Sequence, residues 1–233
     1  CIENDEHAER QVAEGIDHVH TSQATLSGFL NAFQRLRRAG YEVLCLTISS
    51  RLSGTYANAV LVAKELGGSH IEVVDSLTTC SGLYLLIREA RKRIREGAKL
   101  SAVAKELKEK RNRVRMRFSV DDMAPLRRSG RLGNVRMSIS TVLNIKPILE
   151  LKDGAIVSVS LARGRVEQTR RLCAFCEGVE GEIVVNSFLA DEAAARLAVQ
   201  LAGDTREVER RRVGPVLGAH LGAGCLGVCY IER

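Results

Sequence analysis

Aromatic residues are scarce in this sequence: Phe, Tyr and Trp together make up 4% of its 233 residues, and Trp is absent. A large binding pocket in this protein would therefore be lined mainly by Leu, Ile, Val, Ala and Met side chains. Proteins use aromatic rings to stack bases and sugars. The composition thus favours a flexible aliphatic ligand over a stacked base or sugar.

Long apolar runs are missing as well. No stretch reaches the roughly 20 apolar residues of a transmembrane helix, and the first residues do not show the pattern of a secretory signal peptide. We therefore expect a soluble, cytoplasmic protein without stable membrane insertion. A hydrophobic content of 45% and a charged content of 27% are typical of one large or two small globular domains.

Positive charge exceeds negative charge, since 35 Lys and Arg residues against 28 Asp and Glu residues give a formal net charge of +7. The basic residues cluster in runs at 88–95, 105–117, 127–136 and 206–212. No recognisable RNA-binding or zinc-finger signature accompanies these runs, so we interpret them as solvated faces and do not expect a nucleic-acid partner. An acidic protein partner or an anionic membrane surface is compatible with this charge.

Seven cysteines form an odd set in a chain long enough to fold without disulfide cross-links, which predicts free thiols. Two of them, Cys173 and Cys176, have the spacing of half a zinc or redox site. They lie in a helical run over 165–178, where this spacing more readily places both side chains on one buried face. We therefore expect neither a metal site nor a cofactor.

The first half of the sequence alternates between helix and strand patterns. Apolar residues recur at helical spacing from Leu26 to Leu36, and Gly40 follows as a terminator. The alternation continues with a strand at 42–48, a helix at about 53–66, a strand at 71–74, a helix at 80–96 and a polar helix at about 101–112. Short connections between such elements predict right-handed crossovers and a parallel sheet.

A different pattern begins near residue 115, where we place a domain boundary. Two strand-like runs at 147–160 are broken by Lys152-Asp153-Gly154, a hairpin signal. The other elements are strands at 116–121, 183–188, 206–213 and 226–232 and helices at 163–177 and 191–202. The predicted fold is α/β, with a parallel-sheet domain over 1–115, a mixed α+β domain over 116–233 and a ligand site between them.

Four hydroxyl groups cluster where the strand at 42–48 is followed by a helix: Ser49, Ser50, Ser53 and Thr55. A helix N-terminus offers free backbone N–H groups and a dipole that favours negative charge. The carboxyl ends of strands are also where open α/β sheets bind ligands. A single Ser or Thr here would be an ordinary helix cap, whereas several in one turn indicate a site for an anion or a carboxylate.

Four motifs follow one another along the chain: TSQATLSGF at 21–29, ISSRLSGTY at 48–56, LRRSGRLG at 126–133 with IKPILELKDG at 145–154, and GAHLGAG at 218–224. Together they closely resemble the DegV family of bacterial fatty-acid-binding proteins. The resemblance begins at Thr21 and implies the DegV, or EDD-like, fold. Members of this family present an acyl chain to a fatty acid kinase, so the resemblance implies a lipid carrier and not an enzyme.

Some positions depart from the family pattern. The resemblance implies an initial strand with an Asp-Ser pair and a longer segment before the first motif, whereas twenty residues precede Thr21 here. We therefore expect the family's first strand to be missing or trimmed. Substitutions within the motifs are mild: Ala24 and Thr25 replace the usual Pro and Ser, and Ala223 replaces a Pro.

The resemblance also implies roles for individual residues. Five of them would bind the fatty acid carboxylate: Thr21, Ser22, Ser50, Ser53 and His220. Of these, His220 stands beside glycine-rich turns and matches the family's histidine at the pocket mouth. Arg131 and Arg163 match arginines near the head group or on the surface that faces the kinase.

The residues leave two other functions open. One of the serines could act as a nucleophile with His220 as its base, as in an esterase or acyltransferase, although the sequence lacks the G-x-S-x-G turn. A basic regulatory module that binds nucleic acid is supported by charge alone. The function we expect is binding of a long-chain fatty acid and presentation of its carboxylate to a separate fatty acid kinase.

Overall fold

The structure is a computed structural model that describes residues 6–14, 19–131, 144–203 and 206–233. The chain divides into two compact units, Ser22–Val114 and, as a second group, Cys1–Thr21 with Arg115–Arg233. We refer to the first as the N-terminal unit and to the second as the C-terminal unit.

Helices and strands follow along the described residues in this order: α1 (Glu6–Glu14), α2 (Leu26–Arg38), β1 (Val43–Thr47), α3 (Thr55–Glu65), β2 (Ile71–Asp75), α4 (Cys80–Arg95), α5 (Leu100–Lys110), a 3-10 turn (Arg111–Arg113), β3 (Val114–Ser119), α6 (Ala124–Arg128), β4 (Ile145–Lys152), β5 (Ala155–Arg163), α7 (Gly164–Ala174), β6 (Ile183–Phe188), α8 (Asp191–Ala202), β7 (Val208–Arg212), α9 (Pro215–Leu221) and β8 (Cys225–Ile231).

The N-terminal unit has helices on both faces of a parallel pair of strands, β1 and β2. Alternate strand residues point to opposite faces. Val43 and Ile71 therefore pack with α2 and α3 on one face, whereas Val74 packs with α4 and α5 on the other. At the start of α2, the Thr25 hydroxyl accepts a hydrogen bond from a backbone N–H of the first turn, as helix N-caps do.

The C-terminal unit contains a six-stranded sheet in the order β5-β4-β3-β8-β6-β7. The pairs β3–β4, β4–β5 and β6–β8 are antiparallel, and β6–β7 is parallel. Helices α7 and α8 contribute Leu172 and Leu197 to a core with Ile183, Val185 and Leu226. All six residues of β6 are buried, as expected of a strand covered on both faces.

The predicted α/β class is confirmed, and most predicted elements are present with ends shifted by a few residues. The predicted strand at 183–188 and helix at 191–202 match β6 and α8. The hairpin predicted at Lys152-Asp153-Gly154 joins β4 to β5, and its φ angles of +50° at Asp153 and +80° at Gly154 are those of a type I′ turn.

The sequence analysis missed three short helices, α1, α6 and α9. The glycine-rich segment that contains α9 shows why. A Cβ atom at Gly218 would lie 2.2 Å from Cζ of Phe188, so this glycine permits close packing of a helix and does not mark a turn. Tertiary contact overrides the low helix propensity of glycine here.

The sequence analysis placed helix α1 and residues 19–21 in the domain over 1–115, whereas they group with the C-terminal unit. Helix α1 packs against α9 and buries Val12, which is 9% exposed. A helix of nine residues is not stable by itself. The surface that covers its apolar face therefore decides to which unit it belongs.

Candidate functional site

A cavity of about 180 Å3 lies beside α6 and α9 in the C-terminal unit, and we refer to it as the α6/α9 cavity. Nine described residues line it: Val19, His20, Thr21, Pro125, Arg128, Ser129, Arg131, Ala219 and His220. None of these nine is acidic, and four are Arg or His. Since pockets for small-molecule ligands usually enclose about 300–1,000 Å3, the cavity has room for a polar head group and not for a long tail.

Thr21 and His220 meet at this cavity although 199 positions separate them in the sequence, and Oγ1 of Thr21 is 2.7 Å from Nε2 of His220. His220 lies in the last turn of α9, where the sequence analysis expected a glycine-rich turn. The structure thus brings together two residues that the family resemblance had assigned to one site.

The environment of His220 sets its protonation. Burial lowers the pKa of His220 below its ordinary value, and the nearby positive charge of Arg131 lowers it further, so the ring is neutral at pH 7. Its Nδ1 atom is buried without a hydrogen-bond partner in the described part of the chain. Because a buried N–H without an acceptor is rarer than a buried acceptor without a donor, the proton belongs on Nε2. Nε2–H then donates to Thr21, whose own O–H is left to donate to a ligand.

Arginine side chains supply positive charge at the rim of the α6/α9 cavity. Arg128 and Arg131 are both exposed, and the Arg131 guanidinium donates to the backbone oxygen of Ser129. The Ser129 hydroxyl donates in turn to the backbone oxygen of Leu126 at 2.9 Å. The Thr21 hydroxyl at the wall and the guanidinium groups at the rim fit an anion such as a carboxylate, since hydrogen bonds to a charged acceptor are about twice as strong as neutral ones.

The second group of predicted site residues lies in the N-terminal unit, in the turn between β1 and α3. Ser49 is fully buried, and its backbone oxygen accepts a hydrogen bond from the N–H of Ser53 at 3.2 Å. Ser50 is exposed, but its N–H donates to Oδ1 of Asp75 at 3.1 Å. The sequence analysis expected the backbone N–H groups of this turn to bind an external anion, but the N–H of Ser50 already donates to the Asp75 carboxylate at the end of β2.

The hydroxyl groups of Ser53 and Thr55 form a pair in the same turn. Their oxygens are 2.9 Å apart, and the Ser53 oxygen also accepts the N–H of Thr55 at 3.3 Å. The two hydroxyls carry two protons and share one hydrogen bond, so one O–H remains to donate to a ligand. Ser22 is exposed. The roles predicted for Ser22, Ser50 and Ser53 stay predictions.

The first two sequence motifs contact each other within the N-terminal unit. A Cβ atom at Gly54 would lie 2.0 Å from Oε1 of Gln23, so the end of the Gln23 side chain packs directly on this glycine. The N–H of Ala24 donates to Oγ1 of Thr55 at 3.4 Å, and Nδ2 of Asn58 donates to the Ala24 oxygen at 2.8 Å. These contacts connect the segment after Thr21 to the hydroxyl turn.

Arg163 lies at the end of β5 and is exposed. Its backbone N–H donates to Oε2 of Glu167 at 2.7 Å, which leaves the guanidinium out of the helix cap. The exposed position agrees with a surface role and not with a buried ligand contact. The motif residues Leu132 and Gly133 lie outside the described residues, as does Cys1, one of the seven cysteines of the sequence.

The sequence analysis missed a charged network centred on Arg165. Its Nη2 donates to Oδ2 of Asp121 at 2.6 Å, and its Nη1 donates to the backbone oxygen of Gly224 at 3.2 Å and to Oε1 of the fully buried Gln168 at 3.0 Å. Lys146 forms an ion pair with Asp121 at 3.0 Å, without hydrogen-bond geometry. The network joins β4, α7 and the turn that follows α9. The sequence analysis could not find this network, because a charged residue that pairs within the fold looks the same in the sequence as one that is exposed to solvent.

Gly224→Ala should destabilise the protein far more than Gly178→Ala, a matched control in the same unit. Both glycines have positive φ, +82° and +72°, but a Cβ atom at Gly224 would lie 2.4 Å from Oδ2 of Asp121, whereas nothing lies within 4 Å at Gly178. Backbone strain costs about 1–2 kcal/mol at either site, and the clash adds about 1–3 kcal/mol at Gly224 alone. Urea denaturation measures both losses, and equal losses would contradict close packing of Gly224 on the network.

The described cysteines are free thiols, as predicted. Burial raises the pKa of Cys176 to about 12 and that of Cys45 to about 11. Cys176 is buried and Cys173 is half-buried, and the described residues contain no group of His, Cys, Asp and Glu side chains that could hold a metal ion. Among the same residues, no helix combines the length and apolar character needed to cross a bilayer.

The fold and the α6/α9 cavity define an α/β protein with a positively charged, hydroxyl-bearing cavity suited to an anionic head group. The model of the family described as "Uncharacterised protein, DegV family" matches residues 2–233. The chain is 32% identical over 222 residues to a DegV domain-containing protein of Halalkalibacterium halodurans, and the match covers 91% of this chain and 78% of that protein. This chain therefore belongs to the DegV family.

Two solved structures carry the same fold. A DegV family protein of Thermus thermophilus, described by its fatty acid binding, is 30% identical with a TM-score of 0.84, over 97% of this chain and 84% of that one. A fatty acid binding DegV family protein of Streptococcus agalactiae is 25% identical with a TM-score of 0.88, over 98% of this chain and 83% of that one. The sequence resemblance to the DegV family is thereby confirmed.

Proposed function

We propose that this chain binds a long-chain fatty acid and presents its carboxylate to a separate fatty acid kinase, which forms the acyl phosphate. The observation that carries the proposal is the 2.7 Å hydrogen bond between Oγ1 of Thr21 and Nε2 of His220 at the α6/α9 cavity. With the proton on Nε2, this bond leaves the Thr21 O–H to donate into a cavity whose described lining contains four Arg and His residues and no acid. The solved relatives described as fatty-acid-binding proteins support the same ligand class.

The two ends of a fatty acid would contribute differently. A carboxylate that accepts charge-assisted hydrogen bonds is held in a defined orientation. A tail of about 16 methylenes contributes on the order of 10 kcal/mol before ordering costs, at ~0.8 kcal/mol for each buried methylene. The tail therefore supplies affinity and the head group fixes which end reaches the kinase. Participation of Ser22, Ser50 and Ser53, and a lipid position between the two domains, belong to the proposal as predictions from the resemblance.

The arginines have a separate role in this proposal. Phosphoryl transfer to a carboxylate brings two anions together, and cations at the meeting point offset their repulsion. Arg131 lines the α6/α9 cavity and is placed to act near the head group. Arg163 is exposed at the end of β5 and is proposed to face the kinase.

A hydrolase is the second candidate, because the Thr21 oxygen and His220 Nε2 lie at the 2.7 Å separation of a nucleophile and its base. Such a pair requires a third group that orients the histidine through its other nitrogen. Nδ1 of His220 is buried and unpaired within the described ranges. Among the described residues, the pair therefore lacks the orienting partner of a catalytic triad, and this geometry favours a binding role.

Protein purified under mild conditions should carry fatty acid in roughly stoichiometric amount, because the apolar tunnel that the proposal requires for the tail would collapse or fill with poorly held water without its ligand. Mass spectrometry of a denatured, solvent-extracted sample measures the content, and uptake of added oleic acid by lipid-poor protein is the complementary assay. Trace lipid together with no uptake would contradict the carrier function. Steady turnover of an activated acyl ester would instead favour the hydrolase.

A further inference from the structure

The imidazole ring of His220 is bonded through one of its two nitrogens. Nε2 is 2.7 Å from Oγ1 of Thr21, whereas Nδ1 is buried and has no hydrogen-bond partner in the described part of the chain. Functional histidines are usually oriented by a partner on the other ring nitrogen. Because such a partner is missing among the described residues, the direction of the His220 ring depends on where the backbone of α9 is held.

Glycines on either side of His220 contact β6. A Cβ atom at Gly218 would lie 2.2 Å from Cζ of Phe188, so α9 packs closely on this ring. The N–H of Gly224 donates to the backbone oxygen of Phe188 at 2.9 Å. Gly224 lies in the segment 222–224 between α9 and β8, which we refer to as the α9–β8 turn. The backbone that carries His220 is thus held on both sides.

The α9–β8 turn needs tertiary contacts to keep one conformation. It consists of Gly222, Ala223 and Gly224, and the two glycines have φ angles of +73° and +82°. Glycine loses more conformational freedom on folding than any other residue. Contacts from outside the turn must therefore offset this loss.

Asp121 and Arg165 supply such contacts. The Asp121 carboxylate packs directly on Gly224, where a Cβ atom would clash with Oδ2, and Oδ2 accepts Nη2 of Arg165 at 2.6 Å. The same guanidinium donates through Nη1 to the backbone oxygen of Gly224 at 3.2 Å. Its second acceptor is Gln168, which is fully buried on α7, and Lys146 of β4 pairs with the other carboxylate oxygen. The charges thus hold the turn against two elements of the C-terminal unit.

We propose that Asp121 is a positioning residue for His220. It directs the Arg165 guanidinium onto the α9–β8 turn, and the turn fixes the end of α9 so that the imidazole stays beside Thr21. The nine described residues that line the α6/α9 cavity do not include Asp121, so it acts through the backbone and not on the ligand. The consequence for fatty acid binding rests on the proposed function, whereas the positioning itself rests on the contacts of the turn.

The test is an NMR titration of His220 in lipid-poor protein, with its ring resonance identified by its loss in His220→Gln. Asp121→Asn keeps the shape of the side chain and removes its charge. Loss of a negative charge by itself would lower the pKa of His220. Release of α9 would instead raise the pKa of His220 towards its ordinary value, because burial is the main cause of its lowering. We expect the rise, which a purely electrostatic effect cannot produce.

The charged and titratable groups that face His220 at the cavity are unchanged in this variant: His20, Arg128 and Arg131. Arg165→Lys is the second variant. It keeps the charge but lacks the planar fork that reaches Asp121 and Gly224 together, so it too should raise the pKa of His220. Both variants should weaken binding of oleic acid about tenfold in isothermal titration, as expected for the loss of one hydrogen bond to a charged group.

Glu150→Gln is the matched control. Glu150 pairs with Arg117 at 2.6 Å between β3 and β4 of the same sheet, so this variant removes a comparable ion pair outside the charged network centred on Arg165. It should lower stability in urea and leave both the His220 titration and the affinity for oleic acid unchanged.

An unchanged or lowered pKa of His220 in both Asp121→Asn and Arg165→Lys would overturn the proposal, as would an equal rise in Glu150→Gln. A raised pKa of His220 in these two variants, when the parent protein binds no fatty acid, would support the positioning role while contradicting the proposed function.

Discussion

Thr21→Ala is expected to weaken fatty acid binding by roughly 10-fold to 150-fold, because it removes a hydrogen-bond donor to a charged, partly buried carboxylate, a loss of about 1.5–3 kcal/mol. The fold should remain, since Thr21 is half-buried and its hydroxyl pairs only with the side chain of His220 among the described residues. Isothermal titration with a long-chain fatty acid measures the affinity. Ser53→Ala is expected to weaken binding by a similar factor if the hydroxyl turn also contacts the carboxylate.

Thr25→Ala is the matched control for Thr21→Ala. The Thr25 hydroxyl accepts the N–H of Gly28 at 3.1 Å, so its loss should lower stability by about 1 kcal/mol through the N-cap of α2 and leave fatty acid affinity unchanged. If Thr21→Ala and Ser53→Ala both bind as tightly as the parent, the head group lies at neither group of residues.

Arg163→Ala should lower acyl phosphate formation by a purified cognate kinase about tenfold while leaving fatty acid affinity nearly unchanged. The exposed guanidinium would steer the kinase and offset the repulsion between two anions, an effect that acts mainly on association and falls with ionic strength. Increasing salt should therefore slow the parent and leave the variant less affected. The helix cap of α7 should survive, because Glu167 is held by the backbone N–H of Arg163 and not by its side chain.

Arg196→Ala provides the comparison for Arg163→Ala, since Arg196 is also exposed but lies on α8 and pairs with Glu192. Arg196→Ala removes the same charge. Because substitution of an uninvolved surface residue has little effect, acyl phosphate formation should stay within about twofold of the parent. Loss of fatty acid binding in Arg163→Ala, with normal transfer per bound lipid, would place this arginine in the ligand site.

The candidate site depends on which donors remain available after folding. In the turn between β1 and α3, Asp75 takes the N–H of Ser50, and a carboxylate at this position would repel a second one nearby. At the α6/α9 cavity, the described lining carries no acid. The cavity is therefore the stronger candidate for the head group, although the hydroxyl turn was the more conspicuous feature of the sequence.

Sequence patterns predicted the elements well wherever the physical cause was local. The apolar spacing from Leu26 to Leu36 predicts α2, and Asp153-Gly154 predicts the hairpin because both residues tolerate the positive φ that a two-residue turn requires. Helix α9 was missed because Gly218 has low helix propensity, and only its packing against Phe188 shows why the helix forms there.

By itself, the sequence determined the α/β class, the order of most elements and, through its four motifs, the DegV family. Periodicity, turn chemistry and motif spacing are properties of neighbouring residues, so they can be read without knowing the fold. Only the tertiary structure decided that helix α1 joins the C-terminal unit, that Thr21 meets His220 and that Arg165 pairs with Asp121. These contacts join residues that are far apart in the sequence. Such residues meet only once the helices and strands have packed, and buried charges then pair with whichever opposite charges the packing has placed beside them.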